Sequence, residues 1–212
     1  MGRRKGARSG GPRGAMRERI AAAAARIMAE EGVDDFALAK RKAARRLGAP
    51  ATEALPANDE IEAELREYLA LYQADEHPER IAGLRRVALE AMRAFERFSP
   101  YLTGPVLEGL AGPYAEIDLQ LFPESTKEVE IFLLDRGIAY EATDERRYTG
   151  DRTRAVAVIA LDWEGVPVRL SVFDPRDERA ALKTTPAGRV AARAGIAEVR
   201  HLVESDGVSQ TS

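Results

Sequence analysis

The pattern along this chain predicts an α+β fold, a helical N-terminal module followed by a small mixed sheet backed by helices. Two observations carry the prediction. Up to about residue 98, apolar residues recur three and four apart, the period of an amphipathic helix. After Pro100 the spacing changes to alternation over short stretches, the period of a half-buried strand, with helical segments set between them. The order reads helices, strand, glycine-bearing loop, strand, helix, strand hairpin, helix.

In the first half, Met16, Ile20, Ala24, Ile27 and Met28 share one helix face, and Gly32 follows where such a helix closes. Asp34 or Asp35 is placed to cap a second helix, "FALAKRKAARRLG", which ends at Gly48. Phe36, Ala39, Ala43 and Leu47 form its apolar stripe and leave Lys40, Arg41, Lys42, Arg45 and Arg46 outside it, a basic surface. The two prolines of "APATEALPAN" mark a connector. Asn58 or Asp59 then caps a helix whose Ile61, Leu65, Tyr68, Leu69 and Tyr72 face one way. "DEHP" ends that helix, and Ile81, Leu84, Ala88, Ala91, Phe95 and Phe98 define the next, over about 79–98.

Beyond Pro100, "YLTG" reads as a short strand, a loop rich in Gly and Pro follows, and "EIDLQLF" alternates as a second strand. Pro123 and Glu124 open a helix carrying Val129, Phe132 and Leu133, closed by Gly137. "RAVAVIALDW" and "VPVRLSVF" make two strands joined by "EG", a tight hairpin. A last helix is expected over about 189–204. The boundaries that follow are a disordered basic arm over 1–15, a helical module over 16–78, a second domain over 79–205 and a disordered tail over 206–212.

Composition narrows the chemistry. With 212 residues there is material for one fair-sized domain or two small ones, and a formal charge of -3 with 32% charged residues singles out no partner. Cysteine is absent, which excludes disulfides, thiolate metal sites and a cysteine nucleophile. No apolar run reaches the roughly 20 residues of a membrane span, and the basic start runs into "MRER" rather than an apolar core. The expectation is a cytoplasmic protein with no membrane partner. There is no Walker-type phosphate loop and no Gly-x-Ser-x-Gly turn.

The feature that asks for an explanation is "EIDL". Residues two apart on a strand point the same way about 6 to 7 Å apart, so Glu116 and Asp118 project together while Ile117, Leu119 and Leu121 turn to the core. At about 6 Å and an effective dielectric of about 20, two like charges repel by close to 3 kcal/mol. A divalent cation with oxygen ligands relieves this, and so does water or a neighbouring arginine. Spacing alone does not choose, since "EIE" at 60–62 and "EVE" at 128–130 repeat it in helical segments. The glycine-bearing bend at Gly104 adds context, because backbone at a glycine approaches phosphates closely.

Taken with the bend, the pattern resembles the nucleotidyltransferase superfamily, of the DNA polymerase beta type. Its signature runs Gly, then Ser or Gly, a spacer, then acid, apolar, acid, apolar; the matching residues are Gly104, Pro105, Glu116, Ile117, Asp118 and Leu119. Together with the order of flanking elements, the resemblance spans about residues 79–175. It implies that Glu116 and Asp118 are catalytic ligands of Mg²⁺, that Thr103, Gly104 and Pro105 bind the nucleoside triphosphate, and that a nucleotidyl group passes to a hydroxyl of protein, RNA or a small molecule.

Three residues depart from the pattern. Pro105 stands where the family has Ser and offers neither hydroxyl nor N–H. The first acid is Glu rather than Asp. The third acid, which the family carries on a later strand, falls to Asp174 or Asp162: in "VPVRLSVFDP" the same-face residues are Arg169, Ser171 and Phe173, and Asp174 has the opposite parity.

Two other readings stand beside this one. The fold persists as a nucleotide- or partner-binding module without turnover, or the chain binds nucleic acid along the basic helix 36–47 through Lys40, Arg41 and Arg45. The opening helices resemble those of tetracycline-repressor-type regulators only as far as Gly48. Arg176, Arg179 and Lys183 are candidates to balance a triphosphate, Trp163 to stack a base or pack the sheet, and His77 and His201 lack partners at ligand spacing.

Overall fold

In a computed structural model of the chain, residues 12–33, 35–49, 55–74, 76–149, 152–179 and 192–209 are described. They form two compact units that divide between Ala74 and Asp75. The fold is α+β.

The first unit holds three helices. α1 (Pro12–Glu31) packs against α2 (Phe36–Arg46) and α3 (Asn58–Tyr72), burying Ile20, Ala24, Ile27, Ala39, Ala43, Ile61 and Leu65. α1 begins four residues before the expected start at 16, inside the segment expected to be a disordered arm. Proline at a first helical position gives up an N–H that has no partner there anyway. Asp35 is the cap of α2, accepting from the N–H groups of Ala37 at 2.7 Å and Leu38 at 3.2 Å. Neither Asn58 nor Asp59 caps α3: Ala57 holds the cap position, and the Glu60 carboxylate reaches back to its N–H at 2.7 Å.

The second unit begins with α4 (Glu76–Ala94), so the helix starts inside the segment expected to break it. Pro78 falls in its first turn, where a missing N–H costs nothing. A six-stranded sheet follows in the order β3-β4-β5-β2-β1-β6, with β1 (Tyr101–Thr103), β2 (Ile117–Leu121), β3 (Tyr140–Thr149), β4 (Arg152–Trp163), β5 (Val166–Val172) and β6 (Arg193–Ala194). All neighbours are antiparallel except β2 and β5. The β4–β5 turn is the expected two-residue hairpin, with positive φ at both Glu164 and Gly165.

One face of the sheet, built from Leu102, Ile117, Leu119, Leu121, Ile159, Val168 and Leu170, packs on α4, α6 (Thr126–Asp135) and α7 (Ile196–Ser209). Phe95 sits in this layer against Phe132 at 5.1 Å and Trp163 at 5.5 Å, so Trp163 packs the sheet. The other face carries Glu116, Asp118 and Gln120 and a small cluster of Phe122, Val156 and Phe173 with Tyr101 beside it.

Three expectations are corrected in this unit. The glycine-rich loop expected after β1 opens with a short helix, α5 (Gly104–Glu108), and is irregular only over 109–116. β3, absent from the sequence reading, is a polar strand paired with β4 over ten residues. The tail expected from 206 is helical through Ser209, with Asp206 bound to Arg85, and the last helix starts at Ile196 rather than 189 because Arg193–Ala194 pairs with β1.

Candidate functional site

The parallel pairing of β2 with β5 and the antiparallel pairing of β2 with β1 set Thr103, Asp118 and Arg169 in one row across three strands. Paired residues share a face, so the row gathers three polar side chains beside the bend at Gly104. That bend has φ +72°. A Cβ on Gly104 would stand 2.9 Å from Asp118 Oδ2, so the carboxylate would have to shift to make room. The left-handed backbone is what calls for glycine here, and the missing Cβ leaves the carboxylate where it lies. Asp118 and the bend are therefore brought together as the sequence reading expected.

Glu116 lies just before β2 and turns the other way. Its Oε2 is 3.6 Å from Arg169 Nε, and Arg169 Nη2 donates to Glu145 Oε1 at 2.7 Å. The two carboxylates thus lean toward opposite neighbours, Asp118 toward β1 and Glu116 toward β5. The repulsion expected between them is relieved by an arginine that the chain itself supplies. Among the described residues no three His, Asp, Glu or Cys side chains form a ready-made metal group.

Asp174 is not brought to the pair. Five residues past Arg169, it lies about 16 Å farther along β5 at a strand rise of about 3.3 Å per residue. There its exposed carboxylate accepts from Arg176 N at 2.9 Å and starts a 3₁₀ turn. Asp162 sits at the hairpin, holding Gly165 N at 2.7 Å. Position 169, the β5 residue in register with Asp118, is an arginine.

The remaining candidates are placed as follows. The Thr103 hydroxyl donates to the Asp118 carbonyl at 3.3 Å and ties β1 to β2. Pro105 is in the first turn of α5, where lacking an N–H suits a helix start. Arg85, missed by the sequence reading, is 9% exposed and holds α5 by donating to the carbonyls of Val106 at 3.2 Å and Leu107 at 2.8 Å, while its other nitrogen bonds Asp206. A charged residue inside an otherwise regular apolar helix face was the available signal. Arg176 and Arg179 are exposed, and Lys183 lies outside the described residues.

Lys40 bonds Asn58 at 2.7 Å, and burial, ahead of nearby charges, lowers its pKa. Lys42 and Arg46 both pair with Glu31, and Arg41 and Arg45 are exposed on the same helix, as is Arg46. His77 has its pKa lowered first by burial and then by Arg80, and its Nε2 has no hydrogen-bond partner. His201 is exposed on α7 and lines an open groove with Arg193 and Leu202.

The row runs on through Thr103 to Arg193 of β6, so the carboxylates of Glu116, Asp118 and Glu145 share this face with two guanidiniums, those of Arg169 and Arg193. Gln120, 8% exposed and two residues along the same face from Asp118, has a buried Oε1 without a hydrogen-bond partner. Carboxylate and amide oxygens are the donors that hard divalent cations take. No helix among the described residues is long and apolar enough to cross a membrane. No family model, no curated protein and no solved structure matches the chain.

Proposed function

We propose that the chain is a cytoplasmic protein of nucleotidyltransferase type that binds a nucleoside triphosphate with Mg²⁺ beside β2 and passes a nucleotidyl group to a hydroxyl acceptor. The observation that carries this reading is the contact between the Gly104 bend and the Asp118 carboxylate, where a Cβ would stand 2.9 Å from Oδ2. Such packing brings main chain and an acidic oxygen to the same spot, as a polyphosphate held through a cation requires.

Asp118 and Glu116 would hold the cation, which when bound supplies charge neutralisation to the phosphate oxygens and to the leaving pyrophosphate. Asp118 is met from the β1 side by two consecutive residues: Thr103 bonds its carbonyl, and Gly104 backs its carboxylate. The acceptor oxygen bonds to the α-phosphorus, the α–β bridging bond breaks, pyrophosphate departs and the hydroxyl proton is released. Catalysis of this kind rests on positioning and electrostatics.

A second reading, binding without turnover, is favoured by one observation: position 169 on β5 carries an arginine paired with Glu116, and Asp174 lies far along the strand. One experiment separates the two. Melting temperature is measured with Mg²⁺ and each nucleoside triphosphate, for the native chain and for Asp118→Asn, and pyrophosphate release from each triphosphate is followed in cell extract. Ligand stabilisation lost in the variant, with release also lost, supports transfer; stabilisation without release selects the binding module. No shift at millimolar ligand defeats both.

A further inference from the structure

We infer that the β3–β4 arm, whose register sets Arg147, Arg152 and Arg154 on one face, docks in the major groove of duplex DNA. This docking surface is separate from the nucleotide site proposed above and does not depend on it.

The strand pairing carries the arm past the rest of the sheet. β3 and β4 pair from Tyr140 with Leu161 to Thr149 with Arg152, whereas β5 meets β4 only over 157–163 and ends at Val172, opposite Ala157. Among the described residues, 152–156 of β4 therefore pair with β3 alone. Val156 clusters with Phe122 and Phe173 and anchors the base. The rungs beyond it, 146–149 against 152–155, reach about 14 Å at about 3.4 Å per residue.

Register then sorts the charge. The rung of Glu145 and Val156 lies on the sheet face away from the helices. Two positions on, Arg147 is opposite Arg154, and two further on, Thr149 is opposite Arg152, so these rungs share that face. Arg146, Tyr148, Thr153 and Ala155 fall on the other. Residues 146–149 and 152–155 include Arg146, Arg147, Arg152 and Arg154 and no acid, in a chain of formal charge -3; Asp151, between the strands, lies outside the described residues. Glu145, the acid of the preceding rung, is bonded to Arg169. Like charges directly opposite one another weaken a strand pair, and Arg147 with Arg154 is such a rung. A polyanion laid along this face removes that penalty.

Three features select duplex DNA among polyanions. A two-stranded ribbon fits the B-form major groove, about 12 Å wide and about 8.5 Å deep, and the arm is longer than that depth. Every cation on the arm is arginine, whose planar fork suits phosphate oxygens and guanine edges better than lysine does. The face of Arg147, Arg152 and Arg154 has no aromatic residue, since Tyr148 falls on the opposite one, so it lacks the stacking platform of a single-strand binder. Nor does the arm beyond Val156 contain a Leu, Ile, Val, Phe or Trp to enter a lipid surface.

The test uses the full-length chain and a fluorescent DNA duplex of about 20 base pairs, with anisotropy read between about 50 and 200 mM salt. Native protein is expected to bind, with log affinity falling linearly in log salt. The triple variant Arg147→Gln, Arg152→Gln, Arg154→Gln should bind at least about tenfold more weakly and lower the salt slope by about 2.7, three phosphate contacts at about 0.9 each. Having lost the like-charged rung, it should unfold at the native urea concentration or above it, which separates lost contacts from lost folding. Lysine at the same three positions should keep the slope. Duplex RNA, whose major groove is deep and narrow, and single-stranded DNA should bind at least about tenfold more weakly than the DNA duplex. No binding by native protein at about 50 mM salt, an unchanged slope in the glutamine variant, or equal affinity for duplex RNA, single-stranded DNA or vesicles of anionic lipid overturns the inference. So does loss of binding in Arg41→Gln, Arg45→Gln with the arm variant unaffected, which moves the contact to α2. None of these outcomes bears on the melting shift with Mg²⁺ and triphosphate.

Discussion

Replacing Arg85 by Met removes the clamp that seats α5, and with it the support beneath the Gly104 bend. Its guanidinium makes four hydrogen bonds, to Val106 O, Leu107 O and both oxygens of Asp206, from a side chain only 10% exposed. Removing one member of a buried ion pair costs about 3 to 5 kcal/mol. Asp206 keeps 23% exposure and regains water, which puts the loss near the lower end, about 3 kcal/mol. Asp206→Asn retains an acceptor and should cost less, about 1 to 2 kcal/mol, the difference between a charged and a neutral bond. Since the two share one network, the double variant should lose barely more than Arg85→Met alone. The assay is urea unfolding followed by the chain's one tryptophan, Trp163, which lies in β4 and so reports the second unit. Strictly additive losses, or a neutral Asp206→Asn together with a neutral truncation after residue 205, would refute the claim that the end of α7 belongs to this core.

Two further expectations concern the bend and the first unit. Gly104→Ala should cost about 1 to 2 kcal/mol for a side chain in left-handed backbone, and it should also abolish the stabilisation by Mg²⁺ and triphosphate because its Cβ displaces the Asp118 carboxylate. Full retention of the ligand-dependent melting shift would sink the proposed site. In the first unit, Glu60 is held below its ordinary value of 4.5, chiefly by the side-chain hydrogen bond from Arg17 and next by the Ala57 N–H. A carboxyl with a depressed folded pKa contributes stability that is complete above 4.5 and lost as pH falls through the folded value. Acid unfolding of this unit, followed by helical circular dichroism, should therefore be less steep below pH 4.5 in Glu60→Gln. An identical profile would contradict the assignment.

What was legible in the sequence was local. The Asp35 cap and the Glu164–Gly165 hairpin each depend on residues within a few positions of one another, and the apolar stripes of α1 and α3 needed only the helical period. β3 was not legible because "YEATDERRYT" has no apolar alternation; an edge strand paired on one side buries little and tolerates charge. α5 was hidden because five residues beginning Gly-Pro carry a turn composition, and the helix is held by Arg85, nineteen positions upstream of Gly104. For the site, the i, i+2 parity of Glu116 and Asp118 was readable, as was the outward parity of Arg169. Their meeting was not. It depends on a parallel register between strands some fifty residues apart, which no local pattern encodes.

That register sets which charges meet on this face. A free triphosphate carries several negative charges, and Glu116, Asp118 and Glu145 repel it while Arg169 and Arg193 on the same face attract it. Were Arg169 neutral, the acids would hold a cation more tightly but leave the phosphates only Arg193. Were Glu116 and Glu145 absent, the guanidinium would lose the partners that aim it. The same pairing explains how two acids two residues apart stay on one strand face before any ligand binds, so the pair by itself is weak evidence of metal. The proposed site leans instead on Gly104, whose left-handed backbone lets the main chain come up against the Asp118 carboxylate.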